Sequence, residues 1–146
     1  MQSAKITVME NNAKFAEKIR EAAAEGAVLL FNKNNVLPFT DSDTVSIFGR
    51  CQIEYYKSGT GSGGSVHVPY TTNLLDGMIR QKPSGHNPLI NKELSKIYKN
   101  WLKENPFDNG GGGWAAEPWN QKEMPVTQEL AEDMAAISNK AVYVIG

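Results

Sequence analysis

The chain has 146 residues, of which 40% are apolar and 21% charged, and its net charge at pH 7 is −1. These values are typical of a single globular domain, and the lack of a basic stripe argues against nucleic acid or an anionic membrane as partner. No apolar run approaches the roughly 20 residues that span a bilayer. Because the first residues lack a leader pattern and Cys51 is the single cysteine, we expect a cytoplasmic protein.

The first third of the chain predicts a helix and then a strand. Asn11 or Asn12 can cap the helix, and Gly26 can end it. The apolar run at 27–31 is ambiguous between a last helical turn and a buried strand. Residues 44–49, "TVSIFG", are β-branched, apolar and closed by glycine. They predict a buried strand of a parallel sheet.

Three more helices and a second strand are predicted further along the chain. Thr71 or Thr72 can cap the helix "NLLDGMIRQ", and Thr127 can cap the helix "QELAEDMAAISNK". Between them, "NKELSKIYKNWLKEN" has apolar residues at helical spacing. The expected buried stripe of this helix comprises Leu94, Ile97, Tyr98, Trp101 and Leu102. "AVYVIG", at 141–146, predicts another buried strand.

This order of elements predicts an α/β fold, a partial α/β sandwich with a mainly parallel sheet flanked by helices. The sequence stops at the carboxyl end of its last predicted strand, the edge where open parallel sheets bind ligands. We therefore expect residues 1–146 to be the front portion of a single domain, incomplete at its C-terminal end. A sheet without its later strands exposes an edge, so we expect partner strands or a homo-oligomer.

The loop "KSGTGSGGSVHVPY" carries the G-x-G-x-x-G spacing at Gly59, Gly61 and Gly64. A dinucleotide site needs these glycines directly between a strand and a helix, but the predicted strand ends about ten residues earlier. Nucleotide binding is therefore disfavoured. A flexible linker is disfavoured too, because aromatic and β-branched residues frame the loop. We expect an ordered loop whose glycines allow close approach of a ligand, with the hydroxyl of Ser62 in its middle.

Two sequence blocks, "EKIREAAAEGAVLLFNKNNVLPF" with "VSIFGR" and then "GTGSGGSVHVPYTTNLLDGM", together resemble a known family. They are similar to the opening of the C-terminal α/β-sandwich domain of glycoside hydrolase family 3. That family includes β-glucosidases, β-xylosidases and N-acetylglucosaminidases. The resemblance covers about residues 12–146, and "NPFDNGGGGWAAEPWNQKEMPVT" looks like an insert of a bacterial branch.

The resemblance implies a retaining hydrolase that removes terminal β-D-glucosyl or related residues, with two catalytic carboxyl groups about 5 Å apart. The family's nucleophile is an aspartate in a Ser-Asp-Trp-type motif of a (β/α)8 barrel, and no such motif occurs here. Its acid/base glutamate follows the strand that resembles "AVYVIG", beyond Gly146. The resemblance thus implies no catalytic residue in this chain, no activity of the chain alone, and no cofactor. We therefore expect the barrel to follow this chain, as in family members with inverted domain order, unless the sequence is trimmed at both ends.

The resemblance also implies a substrate-binding role for Ser62, which matches a serine that hydrogen-bonds the sugar in the first subsite. Gly61 and Gly63 keep its surroundings small, although Ser62 can equally be a plain turn serine. Thr60 departs from members that carry an aromatic residue there.

Trp114 and Trp119 flank the glycine-rich stretch and can stack on a sugar at an outer subsite. More often, such tryptophans pin a loop to its domain.

Other interpretations remain open at this stage. The chain can be a non-catalytic sugar-binding or interaction module that kept the fold but not the chemistry. His67 and His86 lack a metal-ligand spacing, so no metal site is expected. Glu117 lies between two tryptophans, but a loop glutamate is usually solvated, and the family's acid/base lies elsewhere.

Overall fold

The computed structural model describes residues 2–55, 70–80, 87–113 and 116–145, with side chains from Ala13 onward. The chain divides into two compact units, Met1–Leu37 and Pro38–Gly146. In the described ranges, none of the helices is long and apolar enough to cross a membrane.

The first unit consists of a long helix and a short turn. Helix α1 spans Gln2–Glu25, so the prediction that it begins at Asn11 or Asn12 is wrong. Asparagine inside a helix costs only a few tenths of a kcal/mol more than the best helix formers, and the helix continues through both residues. The helix does end where predicted, because the Gly26 N–H donates to the carbonyl of Ala22 at 2.9 Å.

The apolar run at 27–31 forms neither of the two structures considered for it. Its residues have no regular secondary structure, and Val28, Leu29, Leu30 and Phe31 are all exposed. A 3-10 turn follows at Lys33–Asn35. The apolar side chains of this run are therefore not buried by a helix or a strand of this unit.

The second unit is built on a parallel sheet of three strands in the order β2-β1-β3. Strand β1 spans Thr44–Phe48, β2 spans Leu89–Ile90 and β3 spans Lys140–Tyr143. Both neighbours of β1 run parallel to it, with Val45 opposite Ile90 on one side and Lys140 on the other. The predicted α/β class and its parallel sheet are thus confirmed. Strand β2 escaped prediction because two residues are too few to show a pattern.

Three helices flank the sheet. Helix α2 spans Leu74–Arg80, and Asn73 caps it through a 2.7 Å bond from the Asp76 N–H, so the expected caps at positions 71 and 72 are wrong. An asparagine side chain competes well with threonine for this role. Helix α3 spans Lys92–Glu104 and α4 spans Gln128–Ile137.

The cap of α4 and the apolar face of α3 largely follow the prediction. Asn91 caps α3, and Thr127 caps α4 as predicted, with its hydroxyl 3.2 Å from the Leu130 N. Of the predicted α3 stripe, Leu94, Tyr98 and Leu102 are buried, Trp101 is half-buried and Ile97 is 37% exposed.

The core lies on both faces of β1. Because side chains alternate along a strand, Val45 and Ile47 lie on one face, where they cluster with Leu75 of α2. Phe48 lies on the other face and belongs to a second cluster, whose buried members include Leu94, Tyr98, Met124 and Met134. With both faces covered, the carboxyl ends of the strands are the accessible side of the sheet.

Tyr98 links this core to the end of β1, and its ionisation is expected to govern alkaline stability. Its hydroxyl accepts a 2.8 Å bond from the Gly49 N–H, and burial raises the pKa of Tyr98 to about 12. A raised tyrosine pKa favours the neutral phenol, so its contribution is complete below pH 10 and is lost as the pH rises toward 12. The free energy of unfolding of the wild type should therefore fall by about 1 kcal/mol per pH unit in this range, and that of Tyr98→Phe should not.

The measurement is the free energy of unfolding by urea at pH 8 and at pH 11, for wild type and variant. At pH 8, Tyr98→Phe should be about 1–3 kcal/mol less stable, because the buried N–H of Gly49 loses its acceptor. The difference should shrink at pH 11. An unchanged difference would show that Tyr98 ionises as freely in the folded chain as in the unfolded one.

Candidate functional site

The candidate site lies at the carboxyl ends of β1 and β3. Strand β1 has β2 on one side and β3 on the other, so the chain connections diverge between β1 and β3. Such a switch point is where open α/β sheets form their ligand crevices. A crevice of about 300 Å³ lies here. It is lined by Arg50, Cys51, Gln121, Glu123, Tyr143, Val144 and Ile145.

Gly49 turns the chain sharply at the end of β1. Its φ of +93° lies in a region that residues with a side chain rarely adopt. A Cβ at this position would lie 2.1 Å from the carbonyl oxygen of Val144. The N–H of Val144 donates to Phe48 O at 3.0 Å and so extends the pairing of β3 with β1. The turn leads into a 3-10 turn at Arg50–Gln52, whose three residues are all buried.

Arg50 is the most connected charged group at this edge, and it is only 2% exposed. Its Nη1 donates to Lys122 O at 2.6 Å, and its Nη2 donates to Asn105 O at 3.1 Å and to the carboxylate of Glu54. The guanidinium also lies over the ring of Trp101, 5.5 Å from its centroid. One buried cation therefore joins three separate segments of the chain.

Glu123 fixes the start of the 3-10 turn from the other side. Both of its carboxylate oxygens accept from the Arg50 backbone N–H, at 3.1 and 2.9 Å, and one also accepts from the Met124 N–H at 2.7 Å. Glu54 is engaged by the Arg50 guanidinium. Both carboxylates therefore act as hydrogen-bond acceptors: Glu123 holds the backbone of the turn, and Glu54 holds the guanidinium of Arg50.

Cys51 is not built as a nucleophile. The thiol is buried, and burial raises its pKa, with the charge of Glu123 adding to the effect. A reactive cysteine needs the opposite, a lowered pKa. Within the described ranges, no cluster of three or more His, Cys, Asp or Glu side chains could hold a metal ion.

Residues 106–121, which we call the tryptophan loop, leave and re-enter the domain beside the crevice. The two flanking carbonyls, of Asn105 and Lys122, are held by the same guanidinium, and Lys122 Nζ donates to Asn105 Oδ1 at 2.7 Å. Asp108 and Gln121 add two further bonds, of 2.8 and 2.9 Å. The neck of the loop is thus tightly closed, while the indole of Trp119 is 87% exposed.

The glycine loop follows the same 3-10 turn along the chain. Asn73 Nδ2 donates to Ile53 O at 3.1 Å and so ties the residues before the loop to those after it. Gly61, Ser62 and Gly63 lie outside the described residues, as does Trp114. The structure describes the base of this loop, and the sugar-binding roles expected within the loop remain predictions.

Sequence reasoning did not identify Arg50, Glu123 or Asn73 as residues that organise this edge. A signal for Arg50 was present in "FGR", because a charged residue directly after a buried strand stands where ligand crevices form. Glu123 and Asn73 carried no such signal, since each acts on a backbone group distant in sequence.

Comparison with curated proteins relates the chain to β-glucosidases. It is 44% identical over 133 residues to β-glucosidase from Ruminococcus albus and 48% identical over 132 residues to β-glucosidase A from Butyrivibrio fibrisolvens. These matches cover 91% and 90% of the chain but 13% and 15% of the two relatives. The chain therefore spans a small part of the relatives that it matches. No protein-family model matches it.

Solved structures point the same way. A β-glucosidase from Paenibacillus barengoltzii is 56% identical with a TM-score of 0.83, and 90% of this chain matches 14% of that one. β-Glucosidase 3B from Thermotoga neapolitana, solved with α-D-glucose, is 29% identical with a TM-score of 0.74 over 92% of this chain and 18% of its own. The chain is thus an open α/β domain of the kind found in β-glucosidases. It is homologous to one segment of glycoside hydrolase family 3 β-glucosidases, which confirms the resemblance seen in its motifs.

Proposed function

We propose that this chain is the front portion of the C-terminal-type α/β domain of a retaining glycoside hydrolase. The enzyme would remove terminal β-D-glucosyl or related residues from oligosaccharides or glycosides. One observation carries the proposal: about nine-tenths of the chain matches β-glucosidases in both sequence and structure. The crevice at the carboxyl edge of the sheet supports it, because this edge is where such a domain would meet a substrate.

The chain supplies substrate contacts, while the two catalytic carboxyl groups come from elsewhere. Ser62 hydrogen-bonds the sugar in the first subsite, since a hydroxyl can both donate to and accept from sugar hydroxyls. Gly61 and Gly63 keep that part of the loop small. Glu54 and Glu123, the carboxylates beside the crevice, are already engaged by Arg50. They are therefore poor candidates for the acid/base of the reaction.

The missing parts are further strands of the same sheet and a (β/α)8 barrel that carries the nucleophile. Strand β3 lies at the edge of the described sheet, and Tyr143 and Ile145 near its end are 53% and 86% exposed. Parallel strands are normally covered on both faces, so such an edge favours a further strand beside β3.

The proposal predicts that the pure 146-residue chain does not hydrolyse an aryl β-glucoside, because neither catalytic carboxylate is present. A longer product of the same reading frame, extended to include a Ser-Asp-Trp motif, should hydrolyse it at rates typical of enzymes, about 1 to 1,000 per second. Release of the aryl group measures both. Turnover by the pure chain, or an inactive longer product, would contradict the proposal.

Ser62 can then be tested in the longer product. Ser62→Ala should lower kcat/KM for the aryl β-glucoside by roughly fivefold, which corresponds to the loss of one hydrogen bond of about 1 kcal/mol. Ser58→Ala is the matched control, since it removes a hydroxyl from the same loop that has no expected sugar contact. Equal effects of the two substitutions on kcat/KM would show that Ser62 is a plain turn serine without a contact to the sugar.

A further inference from the structure

The 3-10 turn Arg50–Gln52 is the common anchor of two loops at the carboxyl edge. The glycine loop follows it along the chain, and Asn73 closes the base of that loop on Ile53. The tryptophan loop is closed on the same turn by the guanidinium of Arg50, which binds the carbonyls of Asn105 and Lys122. The described bases of both loops are therefore attached to residues 50–53.

We propose that Arg50 is a positioning residue that fixes the tryptophan loop at the carboxyl edge and thereby sets the affinity for the second sugar of the substrate. The inference rests on the proposed function, because it concerns the same cleft. It goes beyond that function by assigning the second-sugar preference to a buried side chain whose guanidinium is bound to acceptors of the protein itself.

The chemistry of the clamp suits a positioning role. A guanidinium is a rigid planar fork, so two carbonyls bound to its two terminal nitrogens are held at a fixed separation. The face of Trp101 and the carboxylate of Glu54 fix the plane and direction of the fork. A lysine could keep the charge but could not hold both carbonyls in one plane.

The hydrogen bonding of Arg50 also points to a role other than stability. Its Nε is buried and has no hydrogen-bond partner among the described residues. A buried donor without a partner costs free energy, and buried ion pairs are often replaceable by apolar residues without loss of stability. An apolar residue could fill this space without the cost of burying a charge. The presence of Arg50 therefore fits a role in fixing the geometry of its partners.

Trp119 is an exposed aromatic residue of the clamped loop, and we take it as the residue that stacks on the second sugar. Its indole is 87% exposed, although tryptophan usually buries most of its surface. The C–H faces of a sugar pack well on such a ring. A closed neck limits the conformations of the loop and therefore the positions that the indole can occupy. Because fewer conformations are available before binding, less entropy is lost when a sugar binds.

The clamp itself is tested on the 146-residue chain by amide hydrogen exchange. Arg50→Lys should speed exchange of the tryptophan-loop amides by about tenfold and leave those of β1 and α3 unchanged. Arg80→Lys is the matched control, because Arg80 is exposed and only loosely paired with Asp76, at 3.9 Å. Unchanged exchange in the loop would overturn the clamp, as would uniformly faster exchange in the whole domain.

The effect on specificity is tested in the longer product with two substrates. β-Glucosyl fluoride has a leaving group too small to reach a second sugar site, whereas a β-linked glucose disaccharide fills it. Arg50→Lys should raise KM for the disaccharide by about fivefold and leave kcat/KM for the fluoride within about twofold. Trp119→Ala should show the same split, and the double variant should be no worse than either single one.

The outcomes separate the inference from the proposed function. If the wild-type longer product does not cleave β-glucosyl fluoride, the proposed function fails, and the exchange experiment still decides the clamp. If it cleaves the fluoride but Arg50→Lys weakens both substrates equally, Arg50 is merely structural and the inference is wrong. No change with either substrate overturns it as well.

Discussion

Replacing Gly49 with alanine is expected to destabilise the second unit by about 3–5 kcal/mol. Two costs add. The backbone at Gly49 has φ +93° and ψ 136°, far from any region that alanine adopts readily. The added Cβ would also lie 2.1 Å from the carbonyl oxygen of Val144, so β3 would have to move away from β1. The loss should be measured as the free energy of unfolding by urea.

Two other glycines in the same unit separate these costs. Gly111 has φ +82° and open space where an added methyl group would lie, so Gly111→Ala should cost only the backbone term, about 1–2 kcal/mol. Gly77 lies inside α2 with open space around it, so Gly77→Ala should stabilise by about 0.5–1 kcal/mol. If Gly49→Ala costs no more than Gly111→Ala, the close approach of Val144 to Gly49 is wrong.

The parts of the fold that could be predicted are those with a repeating pattern. The strand at 44–48 was visible as a β-branched apolar run, and α3 was visible as an amphipathic repeat. Strand β2 could not be seen, because Leu89 and Ile90 form a strand only by pairing with β1 and the residue before it, as in the bond from Leu89 N to Asp43 O. Its pairing is a tertiary effect with no local signal.

The site shows the same division between local and distant information. Glycine-rich composition at 59–64 and paired tryptophans near 110–113 drew attention to two loops, and a family resemblance implied their roles. The sequence could not reveal that Arg50 anchors the tryptophan loop, because its acceptors at Asn105 and Lys122 are backbone carbonyls. Every residue has such a group, so no residue type marks the contact.

Removing the carboxylate of Glu54 is expected to destabilise the second unit by about 3 kcal/mol. The side chain of Arg50 is 3% exposed and that of Glu54 is 29% exposed, so Glu54→Ala would leave a buried cation without its charged partner. Glu54→Gln keeps an acceptor and should cost about half as much, because it loses the charge but not the hydrogen bond. Urea unfolding at neutral pH measures both variants.

Ionic strength and an exposed ion pair provide the controls for Glu54. Lys96→Ala breaks the pair with Glu93 on α3, whose side chains are 68% and 63% exposed, and should cost at most about 0.5 kcal/mol. At 1 M salt the Debye length is about 3 Å, so the exposed pair should lose its value while the buried one keeps most of it. A cost of Glu54→Ala that disappears in high salt would mean that the guanidinium of Arg50 is solvated. In that case the carbonyls of Asn105 and Lys122 alone would hold the guanidinium in the clamp on the tryptophan loop.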